Sequence, residues 1–160
     1  MTRFPWSLLA ALALPAFAPA QSADAPARLA PLPVGVSSLG ATVCDGHLYV
    51  YGGHAGKTHS YDTQTVLGTF HRLPLTPGGK WEALAGGPIA QGMNLVTQRG
   101  QVVRVGGMQP RNAPGVTADN HSLTECASYD PKAKAWTALP PLPAGRSSHD
   151  VVAEIGRAHV

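Results

Sequence analysis

Charged and aromatic side chains are scarce in this chain, and neither kind is gathered into runs. Of 160 residues, 13% are charged and 6% aromatic. Twelve basic residues against nine acidic ones leave a net charge of +3. No basic stripe could track a phosphate backbone, so a nucleic-acid partner is not expected. There are two cysteines, Cys44 and Cys126. An oxidising compartment would let them pair, but no spacing pattern supports a bridge, and two unpaired, partly buried thiols are expected. No apolar run reaches the roughly 20 residues that cross a bilayer. After the N-terminal stretch no window supports a helix of useful length. A phosphate loop, a nucleophile elbow and paired catalytic carboxylates are also missing; Asp62, Asp119 and Asp150 read as turn and capping residues.

Glycine (18) and proline (15) are what the chain has in excess. They follow no Gly-x-y period, and a hydrophobic content of 44% is too high for a disordered tract. Many turns between short strands need such a composition. The first residues are set apart from this pattern. Arg3 gives a positive start, Trp6 to Phe17 a short apolar stretch, and Ala18-Pro19-Ala20 a small-x-small site before Gln21. This is the pattern of a cleaved secretory signal. The expected mature protein is exported to the periplasm or the cell exterior, with no membrane span after cleavage.

A short motif then recurs. "GHLYVYGG" from Gly46 to Gly53 is answered by "GQVVRVGG" from Gly100 to Gly107, 54 residues later. Trp81 returns as Trp136 and Leu84 as Leu139, each 55 later. "PVGVSSLGATV" from Pro33 and "PAGRSSHDVVA" from Pro143 match in register across 110 residues. A period near 50 signals a repeat architecture. Within one period the elements are short and extended. Leu39 to Val43 and Leu48 to Tyr51 flank the hairpin signal Asp45-Gly46. A third strand follows at about Leu67 to Leu73, or Leu123 to Tyr129, and a fourth begins at Trp81 or Trp136. Each repeat is thus expected to be four antiparallel strands joined up and down.

This arrangement resembles the kelch repeat, one blade of a β-propeller. The residues that carry the likeness are Gly52-Gly53, Trp81 and Leu84 in the first copy, and Gly106-Gly107, Tyr129, Trp136 and Leu139-Pro140 in the second. The first copy lacks the motif tyrosine about seven residues before Trp81. The resemblance implies an all-β, incomplete kelch-type β-propeller. The expected layout is a signal peptide at 1–20, a linker at 21–30, blade 1 at 31–85, blade 2 at 86–140, the start of blade 3 at 141–153 and a non-native tail at 154–160. Propellers close with four to eight blades, so residues 21 to 160 alone are expected to aggregate or stay poorly folded. Galactose oxidases and sialic acid mutarotases are kelch-type examples of enzymes acting on sugars.

In propellers, functional groups gather on a rim made by the loops between second and third strands and by the blade-to-blade loops. Here these are residues 54–65, 108–122 and 145–150. They bring His54, Lys57, His59, Arg111, Asn112, Asp119, Asn120 and His121 toward one face. Positions that differ between copies are free of duty to the blade. By sequence matching Arg146 stands in the place of Val36 and Gln91, and His149 in that of Leu39 and Asn94. Both are candidates for a polar lining, although Arg-Ser-Ser-His is also the ordinary opening of a kelch blade. The expected ligand-binding set is His54, His59, Arg111, Asn112, His121, Arg146 and His149. Loop histidines alone do not fix a metal geometry, so no metal or cofactor is expected. The copper-radical site of galactose oxidases needs a tyrosine cross-linked to cysteine, and neither Cys44 nor Cys126 falls in a rim loop. The first expectation is a module binding a protein or carbohydrate ligand through its rim; the alternative is an exported sugar-processing enzyme.

Overall fold

The computed structural model describes residues 29–154. The signal peptide, most of the linker and residues 155–160 of the tail lie outside them. Ten strands follow in order. They are β1 (Gly40–Cys44), β2 (His47–His54), β3 (Val66–Pro74), β4 (Glu82–Leu84), β5 (Asn94–Gln98), β6 (Gln101–Val105), β7 (Met108–Pro110), β8 (Asn120–Ser122), β9 (Cys126–Asp130) and β10 (Ala135–Leu139). They form two antiparallel four-stranded sheets, β1-β2-β3-β4 and β5-β6-β9-β10, and a small ribbon, β7-β8.

Turn chemistry sets the first hairpin of each sheet. Cys44 faces His47 and Gln98 faces Gln101, which leaves two-residue loops. Asp45-Gly46 has φ of 46° and 69°, Arg99-Gly100 of 51° and 77°. Two positive φ values in succession make the turn whose twist suits a hairpin. Asp45-Gly46 advertises this in the sequence; Arg99 adopts the left-handed region without being an obvious turn former.

The double glycines end the second strand by bending it against the next blade. Gly52 and Gly106 have φ of 60° and 56°. A Cβ on Gly52 would lie 2.4 Å from the Ala90 carbonyl oxygen, and one on Gly106 would lie 2.6 Å from that of Arg146. The neighbouring Gly53 and Gly107 amides donate to those same carbonyls, at 2.9 and 2.8 Å. Only glycine gives both the backbone conformation and the close approach. Beyond the kink, β2 runs on unbroken to His54. In the second sheet the strand is interrupted and resumes as β7, which pairs with β8 where the sequence had suggested only a loop.

The core lies between the sheets rather than within either. Tyr49, Tyr51 and Phe70 of the first sheet face Tyr129 and Trp136 of the second. Phe70 meets Tyr129 edge-on at 4.9 Å between ring centroids and Trp136 at 5.0 Å. Tyr51 meets the Trp136 edge at 5.8 Å. Each such pair adds about 0.5–1.5 kcal/mol beyond its buried area. On the inner side β1 touches β5. The Thr97 hydroxyl donates to the Val43 carbonyl oxygen at 2.7 Å, so at the 3.1 Å contact the Thr42 hydroxyl must be the donor to Thr97.

The two tryptophans occupy matching places. Trp81 Nε1–H donates to the Ala30 carbonyl at 3.1 Å, and Trp136 Nε1–H to that of Ala85 at 2.9 Å. Leu48 pairs with Leu73 where Val102 pairs with Tyr129, so Leu73 takes the place of the missing motif tyrosine. Both are buried.

The surroundings of the tryptophans give unequal costs. Among the described residues Trp136 packs on three rings, whereas the one ring that Trp81 meets is that of His71, edge-on at 6.5 Å. Trp136→Ala should therefore cost about 3 kcal/mol and Trp81→Ala less than half of that, measured by denaturant unfolding of the complete protein. Equal costs would show that the indole's contacts are not what holds the blades together.

Candidate functional site

The two long rim loops are built from their own polar side chains. In the loop after β2, the Asp62 carboxylate accepts from the amides of Gln64 at 2.9 Å and Thr65 at 2.8 Å. The Thr65 hydroxyl accepts in return from the Asp62 amide at 3.1 Å. Those amide bonds, Gln64's first, hold the Asp62 carboxyl below its ordinary range. His54 is buried at the loop's base, its ring 4.8 Å from that of Tyr61. Its Nε2 lies 2.9 Å from the Ser60 carbonyl oxygen, which fixes the proton on Nε2.

Asn112 then ties this loop to that of the second blade. Its amide nitrogen donates to the Tyr61 carbonyl oxygen at 3.0 Å, and its side-chain oxygen accepts from the Asp119 amide at 3.0 Å. Its own carbonyl accepts from the Thr63 amide at 3.1 Å. Only 7% of Asn112 is exposed, so every polar group of this side chain is spent on the scaffold. The sequence marks His54 and Asn112 as candidate ligand contacts; the fold turns both inward, where they shape the rim instead of facing solvent.

His59, Arg111 and the His121–Asp119 pair do reach the surface. His59 holds φ of 61°, and its Nδ1 lies 3.4 Å from the Tyr61 hydroxyl. His121 Nε2 is 2.6 Å from the Asp119 carboxylate, both side chains more than a third exposed. Arg111 is exposed, its amide donating to the Asp119 carbonyl at 2.8 Å. Together these groups offer a cation, a carboxylate, two imidazoles and an aromatic ring on adjoining loops.

Arg146 and His149 require a correction of register. Hydrogen bonds place Arg146 with Ala90, because each donates its amide to the strand below (Leu123 and Leu67) at 3.0 Å. Ser38, Gly92 and Ser148 share φ of 53°, 57° and 51°. Arg146 therefore stands where Val36 and Ala90 do, not Gln91, and His149 where Leu39 and Met93 do, not Asn94. The slip is one residue, because the copies begin 54 and then 56 residues apart along the backbone while side-chain matching had averaged them. Arg146 points its side chain to solvent, with its main chain clamping Gly107. His149 packs against Gly106, and both its ring nitrogens are buried without a partner among the described residues. Two apolar places of the repeat thus carry polar side chains in the third blade's opening.

Among the described residues no copper site of the galactose-oxidase kind is assembled. Cys44 is a buried free thiol beside the β1–β2 turn, at the end opposite the rim, and Cys126 is free and half-buried in β9. Among the described residues no three His, Cys, Asp or Glu side chains converge as metal ligands.

No family model and no curated protein matches this chain. Solved structures do. The structure of YjhT superposes with a TM-score of 0.62 over 80% of this chain at 20% identity, covering 34% of YjhT. A fungal alcohol oxidase of the AA5 family, solved in complex with copper, superposes with a TM-score of 0.54 over 69% of this chain at 25% identity, covering 23% of the oxidase. The fold is an incomplete kelch-type β-propeller. The chain spans about a third or less of the propeller structures it matches, two blades and the opening of a third.

The rim loops give an acid-sensitive signature. Because Asp62 is held below its usual 3.8, its contribution to loop order is complete above that pH and is lost as pH falls through the lower value of the folded state. Amide exchange in residues 60–66 should accelerate there in the native protein, and Asp62→Asn should flatten the dependence. Asn112→Ala should loosen residues 61–65 and 112–119 together at any pH, costing about 1–3 kcal/mol. Loosening of one loop alone would mean that Asn112 does not couple them.

Proposed function

We propose that this chain forms part of the ligand-binding rim of an exported kelch-type propeller that recognises carbohydrate. The observation that carries the reading is the Asn112 bridge. It sets two long loops side by side before any ligand arrives, which lowers the ordering cost of binding. On those loops the Tyr61 ring, flanked by His54 and His59, supplies an aromatic surface for the apolar face of a sugar. Arg111, Asp119 and His121 supply donors and acceptors for hydroxyls at the edge. A site with few charges and several directional polar groups suits neutral polyols better than a phosphorylated or polyanionic partner. A protein ligand uses the same rim in the broader form of this reading.

A second reading, a sugar-processing enzyme, is favoured by the likeness to the AA5 alcohol oxidase. The His121–Asp119 pair and the unpartnered ring of His149 are the groups in this segment that could take part in proton transfer. Copper chemistry is not routed through these residues, whose donor set does not fit it.

Titrating the complete protein with a panel of neutral and acidic sugars, with and without copper, distinguishes the readings. Saturable binding without turnover, weakened about tenfold by His59→Ala or Arg111→Ala, is the expected result. Turnover of any sugar replaces the binding module by the enzyme. Absence of binding across the panel, with capture of a protein partner, removes carbohydrate from the proposal.

A further inference from the structure

The blade interface holds a cation that the repeat does not need. In the first blade the matching residue is Val50, buried on the face of β2 opposite Tyr49 and Tyr51 and set across from Ala41 and His71. Its counterpart in the second blade is Arg104, set opposite Ala127 in β9 and Leu95 in β5, and only 4% exposed. Its guanidinium carbon lies 5.1 Å from the centroid of the Tyr51 ring. Nη1 is buried with no hydrogen-bond partner among the described residues. The ion pairs there involve Arg72, His121 and Lys134 instead. An aromatic face compensates a buried guanidinium only in part, and an unpaired buried charge is costly.

Arg104 lines a cleft of about 300 Å³ between the blades. Tyr51, Trp136, Gly86 and Gly87 form much of its wall, and the exposed Glu125 stands at its side. The wall is mainly carbon. A bare inorganic ion would leave most of that apolar space wet, and water alone would leave the charge unmatched. An organic acid meets both requirements at once: a carboxylate matches the two-pronged guanidinium, and an apolar or aromatic body fills the space beside the Trp136 and Tyr51 rings.

We propose that the cleft between the first two blades is a binding site for a small organic carboxylate, with Arg104 as its anchor and the Trp136 and Tyr51 rings as its apolar wall. None of the rim candidates lines it, so the site is separate from the proposed sugar surface and its failure leaves that reading untouched. Glu125, an exposed carboxylate on the same lining, opposes a bound anion and weakens the site.

Calorimetric titration of the complete protein with benzoate tests this, with benzamide as the neutral isostere and sulfate as the inorganic anion. Benzoate should bind at least about tenfold more tightly than either. Arg104→Val, which installs the residue of the first blade, should abolish benzoate binding while raising the melting temperature of the unliganded protein. Arg104→Lys keeps the charge without the fork and should bind several-fold more weakly. Glu125→Gln should bind more tightly. The proposal is overturned if benzamide or sulfate binds as well as benzoate, or if either Arg104 variant binds benzoate like the parent. It is equally overturned if the parent binds no benzoate; a lowered melting temperature in Glu125→Gln would then make Glu125 the internal counter-ion.

Discussion

Five rings hold this molecule together. Tyr49, Tyr51 and Phe70 project from one sheet, Tyr129 and Trp136 from the next, and their contacts at 4.9–6.2 Å lie at the centre of the apolar cluster the two sheets share. A four-stranded blade is too thin to have an interior. It becomes stable by giving its flat faces to neighbours, as in other repeat proteins. The double glycines follow from this constraint. At the end of the second strand the chain must pass within hydrogen-bonding reach of the next blade's opening, and Gly53 and Gly107 donate across that gap. A Cβ on the preceding Gly52 or Gly106 would push the blades apart and separate the rings behind them.

The rim inherits its rigidity from the same arrangement. The loop after β2 is anchored at its base by His54 and joined across the blade boundary to the second blade's loop by Asn112. Polar residues that look like ligand contacts are used to satisfy loop backbone groups that would otherwise lie buried without partners. What still reaches the surface of these loops is the outer layer: His59, Tyr61, Arg111, Asp119 and His121. The blade interface also carries an exception to its own apolar logic in Arg104. Places where a repeat departs from itself at a buried position separate residues that serve the blade from those with another use.

Much of the fold was legible in the residues because the architecture is periodic. Alternation running into two glycines located β2 and β6, the Asp45-Gly46 turn pair located β1, and Trp81 and Trp136 marked the outer strands. Three features were not legible. Arg99-Gly100 forms the same turn as Asp45-Gly46, but arginine carries no turn signal and tolerates the positive φ only because the glycine beside it and the strand register demand it. The ribbon of Met108–Pro110 with Asn120–Ser122 lay hidden in a polar, proline-containing stretch whose pairing is set by the kink at Gly106-Gly107. The register of the blade openings slipped by one residue, since the spacing between copies is fixed by backbone hydrogen bonds and not by side-chain types. Of the candidate site, residue types showed which side chains lie in the rim loops. They did not show which ones turn inward, because asparagine and histidine serve ligands and backbone equally well.

The central claim is that ring contacts across the blade boundary, more than any contact within a blade, stabilise the fold. A double-mutant cycle on Phe70→Leu and Trp136→Leu in the complete protein measures this directly by denaturant unfolding. The two changes should be coupled by about 1 kcal/mol. Strict additivity, within about 0.3 kcal/mol, would contradict the account.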